Sequence, residues 1–205
     1  MTEEVRQQIQ EIKRSFRLVM DGATAASMRE KGANYRLNWG ATIPRLREMA
    51  NEISPNYDLA IELWKENVRE CKILATMIMP PKQMLSEVVD LWIEQTETLE
   101  IAEQAAFNLY QHLDYAADKA FLWLSSENDL TQICGYHILS RLFMRKCEPT
   151  ERDINEFVDQ ALVALQSPNL ALRKAALQSV MHFADLGLVY ERISKSALRS
   201  INMEL

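Results

Sequence analysis

Three glutamates lie three residues apart in the stretch ETLEIAEQ, at Glu97, Glu100 and Glu103. In a helix, this spacing puts the three carboxylates on one face. A carboxylate beside a reacting group can act as a general acid or base. A row of glutamates on a helix is, however, most commonly a solvated surface. The other features of the chain decide which of these two interpretations applies.

The composition predicts a helical protein in a reducing compartment. The chain has 205 residues, 48% of them hydrophobic, and contains only 5 glycines and 6 prolines. So few helix breakers favour helices over a sheet with many tight turns. The three cysteines form no CxxC motif, which predicts free thiols in the cytoplasm.

Charge and hydropathy restrict the partners of the chain. The formal net charge is −6, so a surface that binds nucleic acid must be a local basic patch. The first residues, TEEVRQQIQEIKR, are charged throughout and do not resemble a secretory signal. The longest apolar stretches are too short to span a bilayer, so we expect no membrane partner.

Apolar residues recur with helical spacing along the whole chain and predict an all-α fold. We expect an N-terminal helical cap over residues 1–53, with helices at 3–20 and 23–31 and a third helix capped by Thr42. The segment ANYRLNWGAT between the last two has no periodicity and is interpreted as a loop. Asp21 and Gly22 are expected to end the first helix.

From residue 54 onward, turn signals divide the chain into helix pairs. Four pairs over 54–185 and a capping helix in 186–205 are predicted. The pairs are 58–65 with 68–79, 84–95 with 98–112, 115–125 with 130–146, and 151–166 with 170–185. Each pair has an apolar face that it cannot bury alone, so stacking is expected to give a right-handed, curved α-α superhelix of the HEAT or armadillo type.

The second helices of the four pairs share a small residue at their fourth aligned position. These residues are Cys71, Ala102, Cys134 and Ala175. Small side chains let neighbouring helices approach closely, so both cysteines are interpreted as core residues rather than reactive groups or metal ligands. The three histidines lie 25 and 45 residues apart, unlike the close pairs of a zinc site, and we expect no metal and no cofactor.

Three stretches resemble one known family. SPNLALRKAALQSVMHFA (167–184) resembles a HEAT repeat, and MREKGANYRLNWGATIPRLREMANEI (28–53) and LAIELWKENVRECKILATMIM (59–79) are similar to the HEAT-like-repeat DNA alkylation repair family. This family includes alkylpurine DNA glycosylases. The resemblance covers nearly the whole chain and implies one domain, residues 1–205, whose second helices line a concave, basic surface for duplex DNA.

The resemblance also implies positions for base excision. The glycosylases of the family carry a Trp and an Asp, four residues apart, on the middle second helix and an Arg on the following one. Aligned without gaps, this chain has Leu99, Glu103 and Ile133 there. Glu103 is therefore the candidate catalytic carboxylate, whereas leucine and isoleucine cannot replace the aromatic ring and the cation. The chain also has no Lys or Arg between residues 83 and 118.

Further candidate binding residues lie on the other second helices and in the loop. The basic residues are expected to form two rims around an acidic centre, together with Glu100 and His137; they are Arg69, Lys72, Arg141, Arg173 and Lys174. An arginine such as Arg173 is also a common structural residue between repeats. In the loop, Tyr35, Arg36 and Trp39 are able to stack a base or grip a peptide, or else to pin the loop onto the first helices.

These observations predict a divergent family member that uses its concave surface to bind DNA or a partner and whose glycosylase activity is doubtful. Two alternatives stay open. One is an active alkylpurine DNA glycosylase with Glu103 as its carboxylate, and the other is a non-catalytic scaffold for protein partners.

Overall fold

The structure is a computed structural model that describes residues 2–33 and 35–205, and it contains only helices and connecting segments over these residues. The first of two compact units ends at Leu109 and the second spans Tyr110–Leu205. The all-α prediction is confirmed, and the described part of the ANYRLNWGAT segment is a loop. The single-domain assignment for residues 1–205 stays a prediction.

The first unit holds seven α-helices and one 3₁₀ turn, Pro81–Gln83. The helices are α1 (Glu3–Leu18), α2 (Gly22–Glu30), α3 (Ile43–Glu52), α4 (Tyr57–Lys65), α5 (Arg69–Ile78), α6 (Ser86–Glu94) and α7 (Leu99–Asn108). The second unit opens with the 3₁₀ turn Tyr110–His112. Its helices are α8 (Ala116–Leu124), α9 (Asp129–Met144), α10 (Glu151–Leu165), α11 (Leu170–Ala184) and α12 (Leu188–Ser200).

Local side-chain caps explain where many of the helices begin. A short polar side chain before the first turn accepts a backbone N–H that has no partner within the helix. Helices α1, α2, α3, α4, α7, α9, α10 and α11 start in this way, with caps at Thr2, Asp21, Thr42, Asn56, Thr98, Asn128, Thr150 and Asn169.

Two predicted boundaries are wrong. Asp21 does not end α1 but begins α2, because its carboxylate accepts the Thr24 N–H at 3.0 Å. The helix predicted over 98–112 ends at Asn108, because the backbone of Leu109 leaves the helical region with φ −130° and ψ −62°. In the second unit, the buried Tyr110 then packs edge-to-face on Trp123 with ring centroids 5.5 Å apart.

Aromatic clusters lie at the centre of each unit. In the first, the rings of Trp64 and Trp92 stack in parallel with centroids 4.1 Å apart, joining α4 to α6. In the second, Phe143, Phe157 and Phe183 form a mutual cluster with centroids 5.0 to 5.4 Å apart. Such rings bury large apolar areas and prefer offset or edge-on contacts.

The small residues of the second helices lie in the interior, as predicted. Cys71, Ala102, Cys134 and Ala175 are all buried. In the second unit, the starts of α9 and α11 lie together. The side-chain amide of Asn169, before α11, donates to the carboxylate of Asp129, the first residue of α9, at 2.7 Å. Of the described helices, none is both long and apolar enough to cross a membrane.

Gly135 provides a test of this close packing. In most helix interiors, replacing glycine by alanine stabilises a protein by about 1 kcal/mol. Here a Cβ atom at position 135 would lie 2.9 Å from the carbonyl oxygen of Ala120 on α8. We therefore expect Gly135→Ala to destabilise the protein by roughly 1 to 3 kcal/mol, because α8 and α9 must separate.

The measurement is urea unfolding followed by circular dichroism. Gly22→Ala is the matched control, because Gly22 is also helical and a Cβ there has no neighbour within 4 Å. Stabilisation of both variants by similar amounts would contradict the packing interpretation.

Candidate functional site

A buried arginine connects two second helices of the first unit. The guanidinium of Arg69 on α5 binds both carboxylate oxygens of Glu100 on α7, with Nη2 to Oε1 at 2.6 Å and Nε to Oε2 at 2.8 Å. Only 1% of the Arg69 side chain is exposed, compared with 26% of Glu100. This parallel pair of charge-assisted bonds is the strong, geometrically specific form of ion pair.

The residue next to Arg69 holds the loop. Glu70 is fully buried, and its carboxylate accepts the backbone N–H groups of Trp39 at 3.1 Å and Ala41 at 3.3 Å. Arg69 adds bonds from Nη1 to the carbonyl oxygen of Ala41 at 2.7 Å and to Glu70 at 3.1 Å. Its backbone N–H also donates to the carbonyl of Leu37 at 3.0 Å. The loop is thus fixed by both side chains and backbone.

Glycine allows the loop to pass close to α2. Gly40 has φ +75°, a backbone conformation that residues other than glycine rarely adopt. A Cβ atom there would lie 2.2 Å from the carbonyl oxygen of Asp21. Position 40 therefore needs glycine for both its backbone angle and the available space.

Tyr35 extends the network through a directed chain of hydrogen bonds. Its hydroxyl donates to Glu100 at 2.7 Å and lies 2.9 Å from the hydroxyl of Thr98. Because the single phenolic proton goes to Glu100, Thr98 is the donor in the second bond. Thr98 in turn accepts the N–H of Ile101 as the cap of α7. The loop is therefore joined to the start of α7.

The network shifts the pKa values of its members. Burial alone would raise the pKa of Glu100, but hydrogen bonds from Arg69 and Tyr35 and the Arg69 charge hold it below its ordinary value. Burial would lower the pKa of Arg69, and Glu100 and Glu70 raise it instead. Burial raises the pKa of Tyr35, so this residue stays protonated and remains a donor.

Lys72, the next cation on α5, packs on an aromatic ring. Its Nζ lies 4.4 Å from the ring centroid of Trp64, a cation–π contact. Burial lowers the pKa of this half-buried amine, and the charge of Glu97 opposes that effect. Arg69 and Lys72 are thus brought together by α5, but both already have partners within the first unit.

Glu103 has a different environment from the other two glutamates of the acidic stretch. It is partly buried, and burial followed by the charge of Glu100 raises its pKa above the ordinary value. Glu97 is exposed. Leu99, where the resemblance places an aromatic residue, is exposed at 38%, and Ile133 is 1% exposed inside the second unit. The predicted catalytic role of Glu103 stays a prediction.

The remaining candidates lie in the second unit. On α9, burial and the charge of Arg141 lower the pKa of His137 to about 4. On α11, Nη1 of Arg173 donates to the carbonyl of Ser167 at 2.6 Å, so this arginine braces the turn before its own helix. Lys174 is exposed. Their binding roles stay predictions.

The structure also separates the three loop candidates. Tyr35 is committed to the network, Trp39 is partly exposed beneath the guanidinium of Arg17 at 5.6 Å, and Arg36 is exposed. Among the described residues, no group of three or more His, Cys, Asp or Glu is arranged to hold a metal ion. Burial raises the pKa of the Cys71 thiol to about 12 and that of Cys134 further, so both are poor nucleophiles.

Sequence reasoning missed one charged segment. Residues 13–47 contain eight Lys or Arg and two Asp or Glu, a formal charge of +6. Because the whole chain carries −6, all other residues together carry −12. Five exposed cations of this segment, Arg14, Arg17, Arg29, Lys31 and Arg36, lie on α1, α2 and the loop. A tally of charge along the chain would have revealed them.

Helix pairs whose second helices bury small residues define a HEAT-like repeat protein. The chain belongs to the DNA alkylation repair enzyme family, whose family model matches residues 12–175. The resemblance stated from the sequence is therefore confirmed.

The fold also matches a solved structure. That protein is described as one of a new family related to the HEAT-like repeat DNA glycosylases, with affinity for branched DNA structures. The TM-score is 0.83 at 16% identity, over 94% of this chain and 82% of the other. No curated protein matches the chain significantly.

We expect Arg69→Met to destabilise the protein strongly. The substitution keeps much of the side-chain length but leaves the buried Glu70 and the partly buried Glu100 without their cation. Removing one partner of a buried ion pair typically costs about 3 to 5 kcal/mol. Arg45→Met is the control, because Arg45 forms a 2.7 Å pair with Glu48 in which the side chains are 42% and 62% exposed, and such surface pairs contribute at most about 1 kcal/mol. Equal shifts of the urea midpoint would contradict this assignment.

The network also predicts a pH dependence of stability. Since the folded pKa of Glu100 lies below the ordinary 4.5, its contribution is complete above that pH and disappears as the pH falls through the lower value. The difference in unfolding free energy between wild type and Glu100→Gln should be constant from pH 7 to 5 and narrow below about 4.5. Glu97→Gln is the control, for which we expect little difference in stability at neutral pH. If the difference in unfolding free energy between wild type and Glu100→Gln widens on acidification, Glu100 is not part of an ionised pair with Arg69.

Proposed function

We propose that this protein is a DNA-binding member of the DNA alkylation repair enzyme family that does not excise bases. Family membership and the fold it shares with a protein of stated affinity for branched DNA support binding. The observation that carries the absence of excision is the chemistry at Leu99 and Ile133. A leucine offers no π face to a cationic base, and an isoleucine offers no charge.

The location of Ile133 strengthens this interpretation. Its side chain packs in the interior of the second unit with 1% exposure. An arginine that contacts a DNA phosphate must instead reach the surface, so the difference at position 133 is one of placement as well as residue type. The surface of the second helices still offers exposed or partly exposed cations in the second unit, namely Arg141, Arg173 and Lys174. That this surface is concave and holds DNA is part of the proposal.

One observation favours the alternative function, an active alkylpurine DNA glycosylase. Glu103 is a partly buried carboxylate with a raised pKa, and perturbed carboxylates concentrate at active sites. In that case Glu103 would stabilise the positive charge that develops on the sugar as the base leaves. The role of a protein-binding scaffold is the outcome if neither DNA binding nor excision is found.

Binding and excision are tested with the purified protein and three labelled DNAs: a plain duplex, a duplex with 3- or 7-alkylated purines, and a four-way junction. We expect binding that weakens steeply with salt, since six phosphate contacts alone lose about a thousandfold in affinity between 50 and 200 mM. We expect no released purine in the chromatographic assay.

Glu103→Gln and Glu97→Gln form the matched pair for this experiment. We expect both variants to bind DNA at least as well as wild type, because each removes one negative charge. Glu103 lies on α7, and Glu97 lies two residues before its first residue. Purine release by wild type and Glu97→Gln but not by Glu103→Gln would establish the alternative function. No binding to any of the three DNAs at low salt would overturn the proposal itself.

A further inference from the structure

The exposed cations of the N-terminal segment lie on the loop and on the two helices that contact it. We define the N-terminal basic patch as Arg14, Arg17, Arg29, Lys31 and Arg36. Arg17 lies over the ring of Trp39, and Arg14 is three residues earlier on α1. The side chain of Asn38 contacts Met28 at 3.2 Å, which brings the end of α2 with Arg29 and Lys31 beside the loop.

These five cations have no acidic partners among the described residues. All are exposed, and none forms an ion pair. The helix dipole accounts for cations at the ends of α1 and α2, but it does not account for Arg14 or Arg36. It also does not account for the shortage of acidic residues in a segment of +6 within a chain of −6. Clustered like charges repel one another, whereas a polyanion on the same surface would reverse that cost.

The loop is partly exposed, but two buried charged residues hold its backbone. The buried Arg69 and Glu70 bind its backbone at Leu37, Trp39 and Ala41. Buried ion pairs contribute little net stability, because desolvation offsets their attraction. Their clearest effect here is that Leu37 is presented at the surface, 38% exposed, between the cationic Arg36 and the ring of Trp39.

We propose that the N-terminal basic patch and the loop form a binding surface for branched DNA. This inference rests on the proposed function; it adds a binding surface on the first unit to that of the second helices and names the class of DNA that this added surface recognises. The five cations contact the phosphates on both sides of a branch point. Leu37 and the edge of Trp39 contact a terminal base pair, which at a branch lacks one stacking neighbour. Apolar side chains that insert at unstacked steps are a general device of DNA-binding proteins, and a pre-ordered loop avoids an entropic cost on binding.

Two variants test the two parts of this surface by fluorescence anisotropy with a four-way junction and a duplex of the same sequence. The double variant Arg14→Gln/Arg36→Gln should weaken binding to both DNAs by roughly tenfold or more. It should also reduce the slope of the logarithm of the binding constant against the logarithm of the salt concentration by about 2. The duplex ends and the junction arms are closed by hairpin loops and magnesium is omitted, so that unstacked base-pair faces remain only at the branch. Under these conditions Leu37→Ser should reduce junction binding by roughly tenfold and leave duplex binding unchanged.

The controls remove the same groups elsewhere. Arg152→Gln/Arg192→Gln changes the net charge equally at two exposed residues of the second unit, and Leu122→Ser replaces another exposed leucine. Both should bind like wild type, and melting curves should show that all variants fold. If wild type binds DNA but the two double arginine variants lose affinity equally, the N-terminal basic patch is not the binding surface, while the proposed function stands. If Leu37→Ser keeps wild-type preference for the junction, the contact at the branch is wrong. If wild type binds no DNA, both proposals fail together.

Discussion

The buried ion pair between Arg69 and Glu100 is the interaction on which the rest of the first unit depends. It joins α5 to α7, and the neighbouring Glu70 fixes the loop before α3. One cation faces two carboxylates there, and the backbone N–H groups of Trp39 and Ala41 and the Tyr35 hydroxyl are further donors to these carboxylates. Since an unpaired buried charge is costly, no member of this set can be removed alone without loss of stability.

The pair between Arg69 and Glu100 also makes the three glutamates of the acidic stretch unequal. Glu97, Glu100 and Glu103 share a spacing but not an environment: the first is exposed, the second is committed to Arg69, and the third is partly buried with a raised pKa. A row of three equivalent carboxylates would repel DNA strongly. One of the three is neutralised within the fold, so the negative charge that DNA would meet is smaller than the sequence suggests.

Charge is distributed unevenly between the parts of this molecule. Excision chemistry of the kind the family resemblance implies needs an aromatic ring, a carboxylate and a cation, and in the proposed alignment only the carboxylate, Glu103, has a counterpart in this chain. Its net positive charge lies instead in residues 13–47, a segment of +6 that includes the loop whose backbone Arg69 and Glu70 bind. Binding of DNA through phosphates and an exposed apolar side chain requires nothing more than these groups. The proposed function thus separates affinity for DNA from base chemistry on one fold, as is possible because function depends on the site and not on the fold alone.

The sequence by itself determined the helices, most of their starts, the buried small residues and the family, because these depend on contacts within a few residues or on a repeated pattern. Thr42 and Asn169 cap helices through side chains that reach only two or three residues ahead. The tertiary structure alone decided that Arg69 meets Glu100, 31 residues away, and that Glu70 binds the loop. It also decided that α7 ends at Asn108. Helical periodicity carries no information about which charged residues of two different helices come together, since that choice depends on how the helices pack.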